Sequence, residues 1–135
     1  MNETITNKTA SLERCLRRID QIYSEFRYQI DERYNEQDAL ILNIQRACQL
    51  TIDIGAYTVK TKKLGVPKAT REIFTLLEKS KIINKQLSEN LQAMVGFRNV
   101  AIHDYEKVNL DIVHSIINDH ISDFTDFISA IKAAS

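Results

Sequence analysis

Apolar residues recur at steps of three and four along most of the chain, the spacing of one face of an α-helix. The first such stripe contains Leu12, Leu16, Ile19 and Tyr23, and the last one ends at Ile131. Turn-forming residues are scarce, with 3 Gly and 1 Pro in 135 residues, and this scarcity disfavours a fold with many strands. The pattern therefore predicts an all-α protein.

Breaks between the stripes predict a bundle of about five helices, four long and one short. The second helix is expected to run from a cap at Asn35 to about Lys63, and the break around Pro67 follows it. A short helix comes next, Asn84 marks the start of the fourth helix, and Asn109 is expected to cap the last one. The length predicts one domain spanning residues 1–135.

Charge and composition exclude several classes of protein. Lys and Arg total 18, as do Asp and Glu, and this balance argues against a protein that coats nucleic acid with positive charge. Cys15 and Cys48 lack metal-ligand spacing and are expected to be core residues in a reducing compartment. Without a signal peptide or an apolar run of about 18 residues, we expect a cytoplasmic protein with no cofactor and no metal.

One cationic residue occupies an apolar position of the fourth helix. The inward stripe runs through Leu91 and Val95, and its next position is Arg98. An Arg on a buried face needs a partner, so it either pairs with a carboxylate of a neighbouring helix, lies at the edge of the stripe, or binds a ligand. Gly96 lies two residues earlier and is expected to allow a close approach by another backbone or a ligand.

His103 and Tyr105 follow Arg98 within eight residues. The combination suits a phosphodiester, because Arg donates a fork of hydrogen bonds to phosphate oxygens and His exchanges protons near neutral pH. In a straight helix, however, Arg98 and His103 point about 140° apart. Either the helix ends or distorts between them, or two copies of the motif meet across a homodimer interface. We favour the dimer.

This string resembles the HEPN superfamily, whose hallmark is Arg, four to six residues, then His. Arg98, His103 and Tyr105 match the Arg-x4-His-x-Tyr pattern of the HepT-like branch, and the similarity covers most of the chain. The resemblance implies a homodimeric helical bundle that acts as a metal-independent ribonuclease, the toxin of a toxin–antitoxin pair. It also implies a partner, an MntA-like nucleotidyltransferase antitoxin that transfers AMP to the toxin.

The resemblance further implies a role for each motif residue. Arg98 would hold the scissile phosphate, and His103 would act as general base or acid for attack by the ribose 2′-hydroxyl. Tyr105 would be the AMPylation site. Asn99 and Asp104 lie inside the motif and are taken as supporting residues.

Two charged segments outside the motif are candidate contact surfaces. A basic run flanks the Pro67 break and is either an RNA-backbone contact or a solvated helix end: Lys60, Lys62, Lys63, Lys68 and Arg71. An acidic patch is either an exposed turn, a partner for Arg98, or a contact for the antitoxin: Asp31, Glu32, Glu36 and Asp38.

Two other functions compete with the ribonuclease. The first is a non-catalytic HEPN dimer that binds a nucleotide or serves as the partner subunit of a nucleotidyltransferase, and the neutral net charge favours it slightly. The second is a structural helical bundle in which Arg98 simply pairs with a carboxylate.

Overall fold

The computed structural model describes residues 2–135, and all regular structure in that range is helical. In chain order the helices are α1 (Glu3–Phe26), α2 (Tyr34–Thr61), α3 (Thr70–Lys79), α4 (Lys85–His103), α5 (Leu110–Ser115) and α6 (Ile121–Ala134). A π-helical segment, Ile116–His120, joins α5 directly to α6, so the last predicted helix is one long rod with a local irregularity. Four long helices and one short helix thus confirm the predicted architecture.

The four long helices pack side by side around one core. α1 and α2 form a hairpin, α4 packs against α2, and α6 contacts α4, α2 and α1. The short α3 lies against α2 and α4, where Phe74 meets Phe127 of α6 edge to face with ring centroids 6.2 Å apart. The stripe residues predicted from the sequence supply this core, among them Leu12, Ile19 and Leu91.

The second helix begins before Asn35, so the predicted cap there is wrong. Arg33 occupies the cap position without a side-chain hydrogen bond. Its carbonyl accepts the Gln37 N–H at 3.0 Å, because the short 3-10 turn that precedes α2 already directs the chain into the helix. The predicted cap at Asn109 is confirmed by a side-chain hydrogen bond from the Asp111 N–H. Asn84, predicted only as the start of the fourth helix, caps α4 in the same way by accepting from the Leu87 N–H.

Replacement of Asn84 with Ala is expected to lower the free energy of unfolding by about 1 kcal/mol. Asn84 Oδ1 accepts the Leu87 N–H at 2.8 Å, and Ala would leave this N–H to water. Urea unfolding followed by circular dichroism measures the loss. Lys85→Ala, at the next and highly exposed position, is the control, with an expected change within about 0.5 kcal/mol. Equal losses in the two variants would contradict the capping role.

Both cysteines are buried in the core, as predicted. Burial raises the pKa of the Cys48 thiol to about 12, although the nearby Arg98 charge acts in the opposite direction. The thiol therefore stays protonated at neutral pH and behaves as a small core residue. Across the described part of the chain, no helix combines the length and apolarity that a membrane crossing requires.

Candidate active site

The predicted motif lies at the C-terminal end of α4. The helix continues from Arg98 to His103, and the Asp104 N–H still donates to the Val100 carbonyl at 2.8 Å. Tyr105 then begins a 3-10 turn that leads towards α5. The alternative in which the helix ends or distorts between Arg98 and His103 is therefore wrong.

Arg98 points towards α2, where its guanidinium meets a neutral side chain. Its Nε and Nη2 donate to Gln49 Oε1 at 3.0 and 2.7 Å. Its Nη1 donates to Asn99 Oδ1 at 2.7 Å. No carboxylate within residues 2–135 forms an ion pair with Arg98. Of the alternatives given for Arg98, pairing with a carboxylate is therefore wrong, and the positive charge of this half-buried side chain is not neutralised by a contact.

His103 is exposed on the last turn of α4, and no hydrogen bond joins its ring to another described residue. Because α4 is continuous, helix rotation directs His103 about 140° away from Arg98. Within one chain the two side chains therefore do not meet. Only the second predicted arrangement, with two copies of the motif facing each other, would bring an Arg98 and a His103 together.

Tyr105 is tied to the start of α2 by a single contact. Its hydroxyl donates a hydrogen bond to Asp38 Oδ1, while 45% of the tyrosine surface stays exposed. Desolvation, followed by the hydrogen bond to Asp38 and the charge of that carboxylate, raises the Tyr105 pKa to about 12. The phenol is therefore protonated at neutral pH and accessible from solvent.

No carboxylate of the acidic patch pairs with Arg98, so that one of the three alternatives for the patch is wrong. Asp31 Oδ1 lies 3.0 Å from His114 Nε2, and Glu36 accepts a hydrogen bond from Arg33 at 2.7 Å. Glu32 is exposed in the 3-10 turn between α1 and α2.

The other two histidines are hydrogen-bonded to residues outside the motif. His114 Nδ1 is also hydrogen-bonded to Tyr23 Oη at 2.8 Å, and His120 Nδ1 lies 2.9 Å from Asp123 Oδ2. Within residues 2–135, no group of three or more His, Cys, Asp or Glu side chains is arranged to hold a metal ion.

The two supporting residues differ in their surroundings. Asn99 touches Arg98 directly, through the hydrogen bond to Nη1. Asp104 instead forms an exposed ion pair with Lys107, with 3.1 Å between Oδ2 and Nζ. Asn99 thus helps to orient the guanidinium, whereas Asp104 belongs to the turn that carries Tyr105.

Of the basic run, only Arg71 reaches the motif helix. A methyl group at Gly96 would lie 3.1 Å from Arg71 Nη2, so the missing side chain allows the guanidinium to approach α4. The close approach predicted at Gly96 is thus made by a side chain. The four lysines are exposed at the end of α2 and in the following loop. Lys60 is 11 residues beyond Gln49 on α2, a rise of about 16 Å.

A family model described as "Ribonuclease HepT-like" matches residues 12–131. The chain belongs to the HepT-like family. It is 44% identical over 133 residues to the mRNA nuclease HepT of Shewanella oneidensis, covering 98% of this chain and 99% of that protein. The sequence-based assignment to the family is therefore confirmed.

Solved structures resemble this HepT-like chain over nearly its full length. One is a toxin–antitoxin crystal structure with AMP-PNP, with a TM-score of 0.93, 43% identity and coverage of 98% and 99% of the two chains. Another is a tri-AMPylated Shewanella oneidensis HEPN toxin in complex with an MNT antitoxin, with a TM-score of 0.92, 44% identity and the same coverage. At 16% identity, the cytosolic protein YutE of Bacillus subtilis shares the fold, with a TM-score of 0.74.

Sequence reasoning missed the residues on which Arg98 of this HepT-like chain depends. Gln49 binds the guanidinium, and Gln49 Nε2 in turn donates to Asp53 Oδ1 at 2.9 Å. Lys8 Nζ of α1 lies 3.6 Å from Asp53 Oδ2. Gln49 and Asp53 are four residues apart, and thus on one face of α2. That spacing is the only sequence signal, and nothing in it indicates a partner on α4.

Proposed function

We propose that this HepT-like chain is the toxin of a toxin–antitoxin pair, a metal-independent endoribonuclease that works in the cytoplasm as a homodimer. The observation that carries the proposal is the unneutralised Arg98 guanidinium on the same helix end that exposes His103. The family membership and the name of the Shewanella relative, an mRNA nuclease, support the same chemistry.

In the proposed reaction, the ribose 2′-hydroxyl attacks the adjacent phosphorus and the bond to the 5′-oxygen of the next nucleotide breaks. His103 accepts the hydroxyl proton or protonates the leaving oxygen. A guanidinium has five N–H groups. In Arg98, three of them donate to Gln49 and Asn99. The other two remain available to donate to the phosphoryl oxygens. Because the nucleophile belongs to the RNA, no metal-bound water is needed.

A second copy of the chain would complete the site. The last turns of α4 expose two large apolar side chains, Val100 at 40% and Ile102 at 43%, next to Arg98 and His103. Such side chains beside a functional motif suit an interface that buries them. Being two residues apart, they lie on different sides of the helix, Ile102 near Arg98 and Val100 near His103. In a two-fold dimer that packs around this end of α4, Arg98 of one protomer and His103 of its partner would line a shared groove, which resolves their divergence on one helix.

Regulation is proposed to act through Tyr105, with an MntA-like nucleotidyltransferase antitoxin as the partner. The Shewanella HEPN toxin is tri-AMPylated in its complex with an MNT antitoxin. In this chain Tyr105 is 45% exposed, and it lies two residues from His103. Added AMP would place bulk and negative charge beside the proposed RNA groove and repel the substrate.

The basic residues are proposed as weaker RNA contacts. Arg71 lies against the motif helix, and its charge would attract backbone phosphates near the site. Lys60, Lys62, Lys63 and Lys68 stand further along the surface and would meet nucleotides some distance from the scissile bond.

The test is cleavage of RNA by the purified protein in the presence of EDTA, which we expect to proceed. His103→Ala should lower the cleavage rate by about 10²- to 10⁴-fold, because a general acid or base is lost. It should leave thermal unfolding unchanged, since the imidazole is exposed. His120→Ala, outside the motif, serves as the matched control and should cleave normally. Unchanged cleavage by His103→Ala would refute the mechanism, and inactive wild type would favour the non-catalytic HEPN dimer.

A further inference from the structure

We infer that Gln49 is a positioning residue for the ribonuclease reaction, which holds the Arg98 guanidinium in place while leaving its charge available to the RNA phosphate. The inference rests on the proposed function, because it explains how the proposed active site holds the Arg98 guanidinium in position for the RNA phosphate. Gln49 lies on a different helix from the motif and touches Arg98 but no other motif residue.

The contact fixes the direction of the guanidinium. One oxygen, Gln49 Oε1, accepts from both Nε and Nη2, so it holds one edge of the planar group. Asn99 accepts from Nη1. With these two acceptors in place, the orientation of the remaining N–H groups is set before any substrate arrives. Preorganised donors are more effective than mobile ones, because they need no reorganisation during the reaction.

The orientation of Gln49 is itself set by Asp53. A carboxylate accepts hydrogen bonds and cannot donate them, so the Gln49 amide nitrogen faces Asp53 and its oxygen faces Arg98. Lys8 lies near the other Asp53 oxygen and balances part of that negative charge. The series Lys8, Asp53, Gln49, Arg98 therefore links α1, α2 and α4.

The chemical identity of Gln49 decides the charge of the site. A glutamate has almost the same shape and could accept from the guanidinium, but it would form an ion pair with Arg98 and could not donate to Asp53. The guanidinium would then present little net charge to a phosphate. An amide oxygen holds the fork through its partial charge alone. Gln at this position thus combines a fixed geometry with a retained positive charge.

Two substitutions separate these two effects. Gln49→Ala leaves the charge but frees the guanidinium, and should lower kcat for RNA cleavage by roughly 10²-fold. Gln49→Glu still offers an acceptor to the guanidinium but neutralises its charge, and it gives up the hydrogen bond that Gln49 donates to Asp53. It should weaken binding of an uncleavable 2′-O-methyl RNA oligonucleotide and lower the slope of log K against log salt by about 0.7 per site. Gln49→Ala should leave that slope unchanged.

The control for net charge is Gln86→Glu, an exposed position at the start of α4, which should alter neither kcat nor the slope. If Gln49→Ala fails to fold, Asp53→Ala provides the same measurement, because it removes the acceptor that orients the amide. Wild-type kcat and an unchanged slope in both Gln49 variants would overturn the inference. Failure of the proposed function would look different, since Arg98→Ala would then cleave RNA like the wild type.

Discussion

Arg98→Ala is expected to lower RNA cleavage by about 10³-fold, the upper part of the range for loss of a charged or polar donor that stabilises a transition state. The substitution removes the two free N–H groups and the one charge in the motif that no contact neutralises. Growth inhibition on expression should disappear in parallel. Single-turnover cleavage of labelled RNA measures the effect directly.

Two further variants define what Arg98 contributes. Arg98→Lys keeps the charge but lacks the planar fork that Gln49 and Asn99 hold, so it should recover only a small part of the activity. Arg71→Ala removes a neighbouring guanidinium on the same helix surface and should weaken RNA binding with little change in kcat. If Arg71→Ala proved as damaging as Arg98→Ala, the assignment of Arg98 as the phosphate-stabilising group would be wrong.

Tyr105→Phe is expected to abolish modification of the chain by the proposed nucleotidyltransferase antitoxin. The variant keeps the ring but lacks the oxygen that would receive AMP. Intact mass after co-expression with the antitoxin, or after incubation with the antitoxin and ATP, should show one or more added AMP units on the wild type and none on the variant. The unmodified variant should keep its ribonuclease activity in the presence of the antitoxin and ATP.

The matched control is Tyr28→Phe. Tyr28 is 92% exposed, twice as much as Tyr105, so it would be modified first if exposure alone chose the target. We expect Tyr28→Phe to gain the same mass as the wild type. Added mass that persists on Tyr105→Phe would assign the modification to another residue.

The helices were predictable because their determinants are local. Apolar residues three and four positions apart define one face, and an Asn such as Asn84 caps a helix only three residues away. Asn35 shows the limit of this reasoning: it has the right chemistry for a cap, but the preceding turn had already started the helix. The number, order and approximate bounds of the helices followed from many such local signals.

The site was only partly predictable, since its contacts join distant parts of the chain. The motif itself was visible within eight residues, including an Arg at an apolar position. Its partner Gln49 is 49 residues away, and Asp38 is 67 residues from Tyr105. No periodicity connects such positions. The partner of Arg98 is an amide and not a carboxylate because of how α2 packs against α4. No local pattern in the sequence indicates this packing.

The hydrogen bond from Tyr105 to Asp38 has a consequence for the modified chain. Once the phenolic oxygen is esterified to AMP it has no hydrogen to donate, and its new phosphate would stand against a carboxylate of like charge. The tether between the start of α2 and the segment 104–109 would then be released. Modification of Tyr105 would thus loosen the main chain that follows His103, in addition to blocking the groove. Amide hydrogen exchange in residues 104–109 should therefore become faster after modification.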